Sequence, residues 1–217
     1  MFSFCCCKKN SVGLRKGSSI ALVGCSDGNK KEYFEYVNKT IEKINSIGLK
    51  PVVFESVFTD NDNNTVKPEI RARDINDAFA DKTIDAIFDI TGGDAAKEVL
   101  SFIDWELIKA NPKPYFGYSD NSVIINPLHQ KCGIDCYYYQ LKFISDDEKQ
   151  CKNFTDFINK KGRKSSELFK YSYKMLQGKR LKGSEIVGGN IRCTLKLFDT
   201  PYKPDFSNRV LFLESYG

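Results

Sequence analysis

Gly117-Tyr118-Ser119-Asp120-Asn121 follows a short apolar run and precedes a helical pattern from Ser122 to Gln130. A serine on a sharp strand-to-helix turn has its hydroxyl pushed out at the top of a sheet, the geometry of a nucleophile elbow. The residue two before it must be small because the backbone crowds there, and Gly117 meets that need. Asn121 stands where a second glycine is usual and tolerates unusual backbone angles. The following helix aims its dipole and free N–H groups at the turn, so the N–H of Asp120 is a candidate oxyanion donor. The same five residues also read as a plain helix start capped by Ser119 or Asp120.

A second turn, Thr91-Gly92-Gly93-Asp94, follows the apolar run Ile84–Ile90. Glycines at such a turn let backbone N–H groups approach a ligand closely, which makes Gly93 a candidate second oxyanion donor and Gly92 a candidate substrate contact. A tight turn with one positive φ is the simpler reading of the pair.

Other chemistries are restricted by what the sequence lacks. His129 is the single histidine of 217 residues, so a metal site built on two or three histidines cannot form within the chain. It lies ten residues past Ser119, on the helix leading away, about 15 Å off at 1.5 Å per residue. The expectation is a surface or linker-facing side chain. Of the eight cysteines, Cys5, Cys6 and Cys7 are consecutive, and no zinc-ribbon spacing occurs among the others. Reduced thiols, no metal and no cofactor are expected. The Cys-Cys-Cys-Lys-Lys cluster could take acyl chains, but a short disordered tail is the favoured reading of residues 1–13. From Lys142 to Lys196 there are 14 Lys and Arg against 6 Asp and Glu, although the whole chain is only +5. Acidic residues, Ser and Tyr are mixed in, and no nucleic-acid motif accompanies the excess. It reads as a solvated helical face, and no nucleic-acid partner is expected. No run approaches the ~18–20 apolar residues of a membrane span. The start lacks a signal peptide's apolar stretch. A soluble cytoplasmic protein is the default.

The elements that would carry these turns alternate. Strands are expected at Ser19–Gly24, Pro51–Phe54, Ile84–Ile90, Pro114–Gly117 and Asp135–Tyr139. Helices are expected at Lys31–Ile47 with Gly48 as its terminator, Pro68–Ala80, Ala95–Phe102, Trp105–Lys109 and Ser122–Gln130. This is the pattern of an α/β domain with an open, mostly parallel sheet, here residues 14–140, whose ligands bind at the carboxyl ends of the strands. Residues 141–182 read as a charged helical linker. Residues 183–217, with strands near Ser184–Val187 and Arg209–Glu214 around Gly188-Gly189-Asn190, read as part of a smaller β-rich C-terminal domain.

Ordered motifs then carry a family resemblance. They are Arg73–Asp81, Ile84-Asp85-Ala86-Ile87, Thr91-Gly92-Gly93, Asn111-Pro112-Lys113 and Gly117-Tyr118-Ser119-Asp120. Gly188-Gly189-Asn190, Thr200-Pro201-Tyr202, Pro204-Asp205 and Val210–Glu214 continue the series. Together they resemble the LD-carboxypeptidase family of serine peptidases, which includes the microcin C immunity peptidases. The resemblance runs from about Leu14 to the last residue. It implies a Ser-His-Glu triad with Ser119 as nucleophile and Glu214 as the carboxylate that orients the histidine. It also implies an oxyanion hole from the N–H groups of Gly93 and Asp120, with Gly92 and Asn190 as substrate contacts. A small peptide substrate follows, either a muropeptide that loses a terminal D-amino acid or a peptidyl-nucleotide, together with a homodimer.

Two departures stand out. Tyr137-Tyr138-Tyr139-Gln140-Leu141 replaces the family's frequent His-Gly-Pro segment, a change expected to touch substrate contacts more than class. The family's catalytic histidine lies well beyond the strand ending in Glu214, whereas the sequence ends three residues after it. Read as a truncated chain, it is expected to be nearly inert, or a vestigial binding protein.

Overall fold

The computed structural model describes residues 13–160, 165–170, 172, 174–178 and 185–215. The Cys5–Cys7 cluster, all of the tail but Gly13, and the remaining linker residues lie outside them.

The alternation folds as the pattern requires. β1 (Ser19–Val23), α1 (Phe34–Ile47), β2 (Lys50–Val53), α2 (Pro68–Ala80) and β3 (Ile84–Asp89) come first. A 3-10 segment, Ala95–Ser101, leads to α3 (Trp105–Ala110) and β4 (Tyr115–Gly117). Ser119–Asn121, again 3-10, opens α4 (Ser122–Cys132), and β5 (Cys136–Tyr138) follows. The five strands form one parallel sheet in the order β2-β1-β3-β4-β5.

Alternation along each strand splits the core into two layers. Ala21, Val23, Ile87 and Tyr115 face α2, α3 and α4 together with Ile75, Phe79, Ile108 and Val123. Ile20, Leu22, Phe88 and Phe116 face α1 with Val37 and Ile44. The strand order reverses between β1 and β3, the place where open α/β sheets leave a crevice at the carboxyl ends.

Two segments differ from expectation. Ala95–Ser101 is a 3-10 helix rather than an α-helix, and its first N–H groups, which have no partner within a helix, are capped from outside: Ala95 N donates to Asp27 Oδ1 and Ala96 N to Asp120 Oδ2, each at 2.9 Å. The stretch expected to be a charged helical linker does contain a helix, α5 (Glu148–Asn159), but it packs on the sheet. Its spacing places Phe154, Phe157 and Ile158 on one buried face while Lys149 and Lys152 stay outside. Phe154 stacks on Tyr139, with ring centres 6.0 Å apart, and meets Phe88 edge-on at 6.0 Å. α5 itself is amphipathic but electrically balanced, with Lys149 and Lys152 against Glu148 and Asp156, so the excess of positive charge lies beyond it in the sequence.

Beyond it, β6 (Ile186–Asn190) runs into the short α6 (Ile191–Leu195), and β7 (Val210–Glu214) pairs parallel with β6 in a separate two-stranded sheet. Gly188 and Gly189 lie inside β6 rather than after it. Phe212 faces inward against Tyr138, with ring centres 5.3 Å apart, and Leu211 and Leu213 face outward. No helix among the described residues is long and apolar enough to cross a membrane.

The packing of α5 is open to test. Phe154→Ala removes a fully buried ring and is expected to cost about 3–5 kcal/mol in urea unfolding. A loss under ~0.5 kcal/mol, the figure for an exposed position, would restore the linker reading.

Candidate functional site

The site lies where the turns after β1, β3 and β4 converge. Ser119 has φ +57°, a left-handed conformation uncommon for a residue with a side chain. It follows extended Tyr118 and starts the 3-10 turn that leads into α4. The strand must come close to that turn: a Cβ on Gly117 would lie 2.8 Å from the Asn121 Cβ, nearer than real side chains approach. Gly117 therefore plays the part expected of it in an elbow, whereas Asn121 needs no unusual backbone: its φ is −64°, and the left-handed conformation falls on Ser119 itself. Ser119 is half-buried, and among the described residues its hydroxyl has no hydrogen-bond partner.

Asp120 points the other way, fully buried. Its Oδ2 accepts from the Ser26 hydroxyl at 2.6 Å and from Ala96 N at 2.9 Å, and its Oδ1 accepts from Lys196 Nζ at 2.7 Å. Burial works against the Lys196 charge. Hydrogen bonds to the Asp120 and Asp94 carboxylates outweigh it, so the lysine's pKa lies above its usual value. Asn121 Nδ2 donates to Thr91 O at 3.0 Å. The turns after β3 and β4 are thus bonded to each other directly.

The Gly92-Gly93 turn is shaped from the β1 side. Asp27 Oδ1 accepts from Asp94 N at 3.0 Å and from Ala95 N at 2.9 Å. Gly93 has φ +133°, and a Cβ there would lie 2.1 Å from Asp27 Oδ2, so only glycine fits. Space around Gly92 is open. Among the described residues neither Gly93 N–H nor Asp120 N–H finds an acceptor. Buried Asp89, at the end of β3, accepts from Cys25 N at 2.7 Å, Thr91 N at 2.9 Å and Tyr115 Oη at 3.1 Å. Burial pushes its carboxyl pKa up, against the pull of these donors. Arg71 of α2, also fully buried, donates to Cys25 O at 2.6 Å and Ala95 O at 3.0 Å and pairs with Glu98.

The small sheet reaches the site through α4. Asn126 receives Gly188 N–H at 2.9 Å and donates to Gly188 O at 2.8 Å. Ser122 Oγ donates to Ser119 O at 2.6 Å and accepts Asn190 N–H at 2.9 Å. At the end of β7, Glu214 Oε2 accepts from Tyr138 Oη at 2.8 Å and from Asn190 Nδ2 at 3.0 Å. The Tyr138 hydroxyl accepts in turn the N–H of Ser119 at 3.1 Å. Glu214 and Ser119 are therefore one phenol apart. Among the described residues Glu214 Oε1 receives no hydrogen bond. His129 is elsewhere: half-buried near the far end of α4, its Nδ1 pairs with Ile134 O at 3.0 Å.

Ser119, Asp120, Asn190 and Glu214 are thus drawn into one hydrogen-bonded constellation, with Gly92 and Gly93 on the adjoining turn. Sequence reasoning missed the side-chain roles of Asp120, Tyr138, Ser122, Asn126, Arg71 and Lys196. Arg71 precedes a quoted motif by two residues and Tyr138 lies in a noted departure, but Arg71 reaches Ala95, 24 residues away, and Tyr138 reaches Glu214, 76 residues away.

Comparison with known proteins settles the lineage. Residues 20–140 match the LD-carboxypeptidase N-terminal domain, and residues 183–217 match the LD-carboxypeptidase C-terminal domain. The chain belongs to the LD-carboxypeptidase family. A carboxypeptidase-type protein of Treponema pallidum is 26% identical over 222 residues, covering 93% of this chain and 66% of its own length. The microcin C7 self-immunity protein MccF of Escherichia coli is 25% identical over 174 residues, covering 66% of this chain and 51% of its own. Among solved structures, an MccF-like protein from Bacillus anthracis superposes with a TM-score of 0.75 at 20% identity, over 94% of this chain and 68% of that one. MccF in complex with glutamyl sulfamoyl guanosine gives 0.74 at 20% identity, over 96% and 71%. The chain spans about half to two thirds of the length of these curated relatives. The structural likeness establishes the fold, a parallel five-stranded α/β domain followed by a small sheet.

The buried Asp120 pairing generates a prediction for the LD-carboxypeptidase fold in this chain. Asp120→Ala strips three donors, one of them a cation, and is expected to cost about 3–5 kcal/mol in chemical denaturation. Asp120→Asn, which keeps the shape and loses the charge, should cost less. Equal losses would mean that the Lys196 pair contributes nothing beyond packing.

Proposed function

We propose that this chain carries the nucleophile, the oxyanion donors and the orienting carboxylate of a serine-type carboxypeptidase that removes a terminal D-amino acid from muropeptides. In this reading Ser119 Oγ attacks the scissile carbonyl carbon. The developing oxyanion is met by the N–H groups of Gly93 and Asp120, which have no other acceptor among the described residues. The amine of the D-residue leaves with a proton, and water then releases the acyl group from Ser119. Gly92 and Asn190 line the substrate. The protein acts as a cytoplasmic homodimer in murein-peptide turnover.

The observation that carries this reading is the state of Glu214. Its Oε2 is held by two donors and its Oε1 is open, one phenol from the Ser119 amide. A triad carboxylate needs that arrangement: fixed on one side and available on the other to an imidazole N–H. No residue of the 217 supplies that imidazole, since His129 is engaged at the far end of α4. The reading therefore requires the base to come from polypeptide outside this sequence.

A second substrate class is favoured by the likeness to MccF in complex with glutamyl sulfamoyl guanosine. An aminoacyl-nucleotide amide would meet the same elbow and oxyanion donors, with selectivity set by residues after Tyr139. A non-catalytic, vestigial binding protein is the remaining alternative.

The test is D-alanine release from a muropeptide tetrapeptide by the purified 217-residue protein, beside an aminoacyl sulfamoyl nucleotide. Without an imidazole, turnover is expected several orders of magnitude below that of a complete triad. Added free imidazole should raise it, and Ser119→Ala should abolish the gain. Imidazole-independent turnover at ordinary enzyme rates, lost in Ser119→Ala, would show that another group serves as base. A gain that survives Ser119→Ala would refute Ser119 as nucleophile.

A further inference from the structure

We propose that Tyr138 is a positioning residue that couples the Glu214 carboxylate to the backbone of the Ser119 turn. The inference rests on the roles given above to Ser119 and Glu214 and adds how they are held in register.

The Tyr138 hydroxyl has one proton and spare lone pairs. The proton goes to Glu214 Oε2 at 2.8 Å, and a lone pair takes the Ser119 N–H at 3.1 Å. Donation to an ionised carboxylate enriches the phenol oxygen and strengthens the bond it accepts. That bond fixes the amide of a residue at φ +57°, a conformation that tends to relax unless its surroundings hold it. Ionised Glu214 thereby stabilises the elbow without touching it.

The ring is in place before the hydroxyl acts. It packs at 4.8 Å from the Tyr118 ring and 5.3 Å from that of Phe212, so its direction is set by the residue before the nucleophile and by β7 itself. Burial and the bond to Glu214 both push the phenol pKa up, so it stays a donor throughout the working pH range. Asn190 Nδ2 at 3.0 Å completes the hold on Oε2. Both donors to Glu214 lie on that oxygen, which leaves Oε1 to the base.

The coupling can be read directly in ¹H–¹⁵N spectra of the 217-residue protein. Tyr138→Phe keeps the ring and deletes the hydroxyl. The Ser119 amide is expected to move upfield and to exchange with solvent about three- to tenfold faster, the ratio an ordinary net hydrogen bond sets. Glu214→Gln leaves Tyr138 in place and removes the charge. The same amide should move in the same direction, although no atom of residue 214 bonds to it, and in the double variant Glu214→Gln should add no further shift. A purely structural tyrosine would not transmit the change at position 214. An unmoved Ser119 amide in Glu214→Gln, or additive shifts in the double variant, would overturn the proposal. Labelling of Ser119 by a fluorophosphonate in the presence of imidazole separates the two levels. Labelling with no spectral coupling refutes Tyr138 alone, and absent labelling with coupling intact refutes the nucleophile assignment alone.

Discussion

One buried carboxylate holds the site together. Asp120 is fully enclosed, and its three donors come from three separate places: the turn after β1, the segment after β3, and the stretch after β6. A charge out of water is tolerated only where it is paired and hydrogen-bonded. Each donor must therefore be where it is for the chain to fold. Because Asp120 follows Ser119 directly, the same requirement fixes the elbow. The left-handed backbone at Ser119 costs of order 1–3 kcal/mol, and that strain persists because the neighbouring residue cannot move.

The helix that begins at this point extends the constraint to the second sheet. Ser122 and Asn126 lie one turn apart on one face of α4, and both bind the backbone of β6. One amide side chain takes both polar groups of Gly188, an arrangement that discriminates position along the strand. A slip of one residue would leave those groups, and Asn126, unpaired and buried. The register of β6 against α4 then sets β7, which pairs along its whole length from Val210 to Glu214. Glu214 arrives beside Tyr138 as a consequence of where Asn126 sits.

The sequence disclosed what is local. The elbow was legible because a glycine and a serine follow an apolar strand two residues apart, and the crowding that requires Gly117 acts within five residues; the turn tolerance read into Asn121 goes unused, since its φ is −64°. Parallel α/β topology was legible because the alternation of runs is itself local. The polar partners of Asp120, Tyr138 and Arg71 were not, because a carboxylate, a phenol or a guanidinium does not name its partner from a distance. The fate of Glu148–Asn159 was obscured by composition. Phe154, Phe157 and Ile158 have helical spacing, but the charged residues around them, Glu148, Lys149, Lys152 and Asp156, dominated the reading. The capping of Ala95–Ser101 was not legible either, because its two acceptors, Asp27 and Asp120, come from other turns of the fold.

The polar groups left open at the site share one feature: each has a part in the proposed chemistry. Around Asp89, Arg71 and Asp120 the described donors and acceptors meet one another. On the open side of the site four groups have no partner among the described residues: the Ser119 hydroxyl, the N–H groups of Gly93 and Asp120, and Glu214 Oε1. Two N–H donors, one hydroxyl and one carboxylate oxygen remain. In the proposed roles they specify what must complete them, a polarised carbonyl against the donors and a ring with two nitrogens between the hydroxyl and the carboxylate. Other unpaired buried atoms, such as Gln150 Oε1 and Asn153 Nδ2 on α5, are scattered through the scaffold; these four differ in lying together, where one substrate carbonyl and one imidazole would satisfy them all.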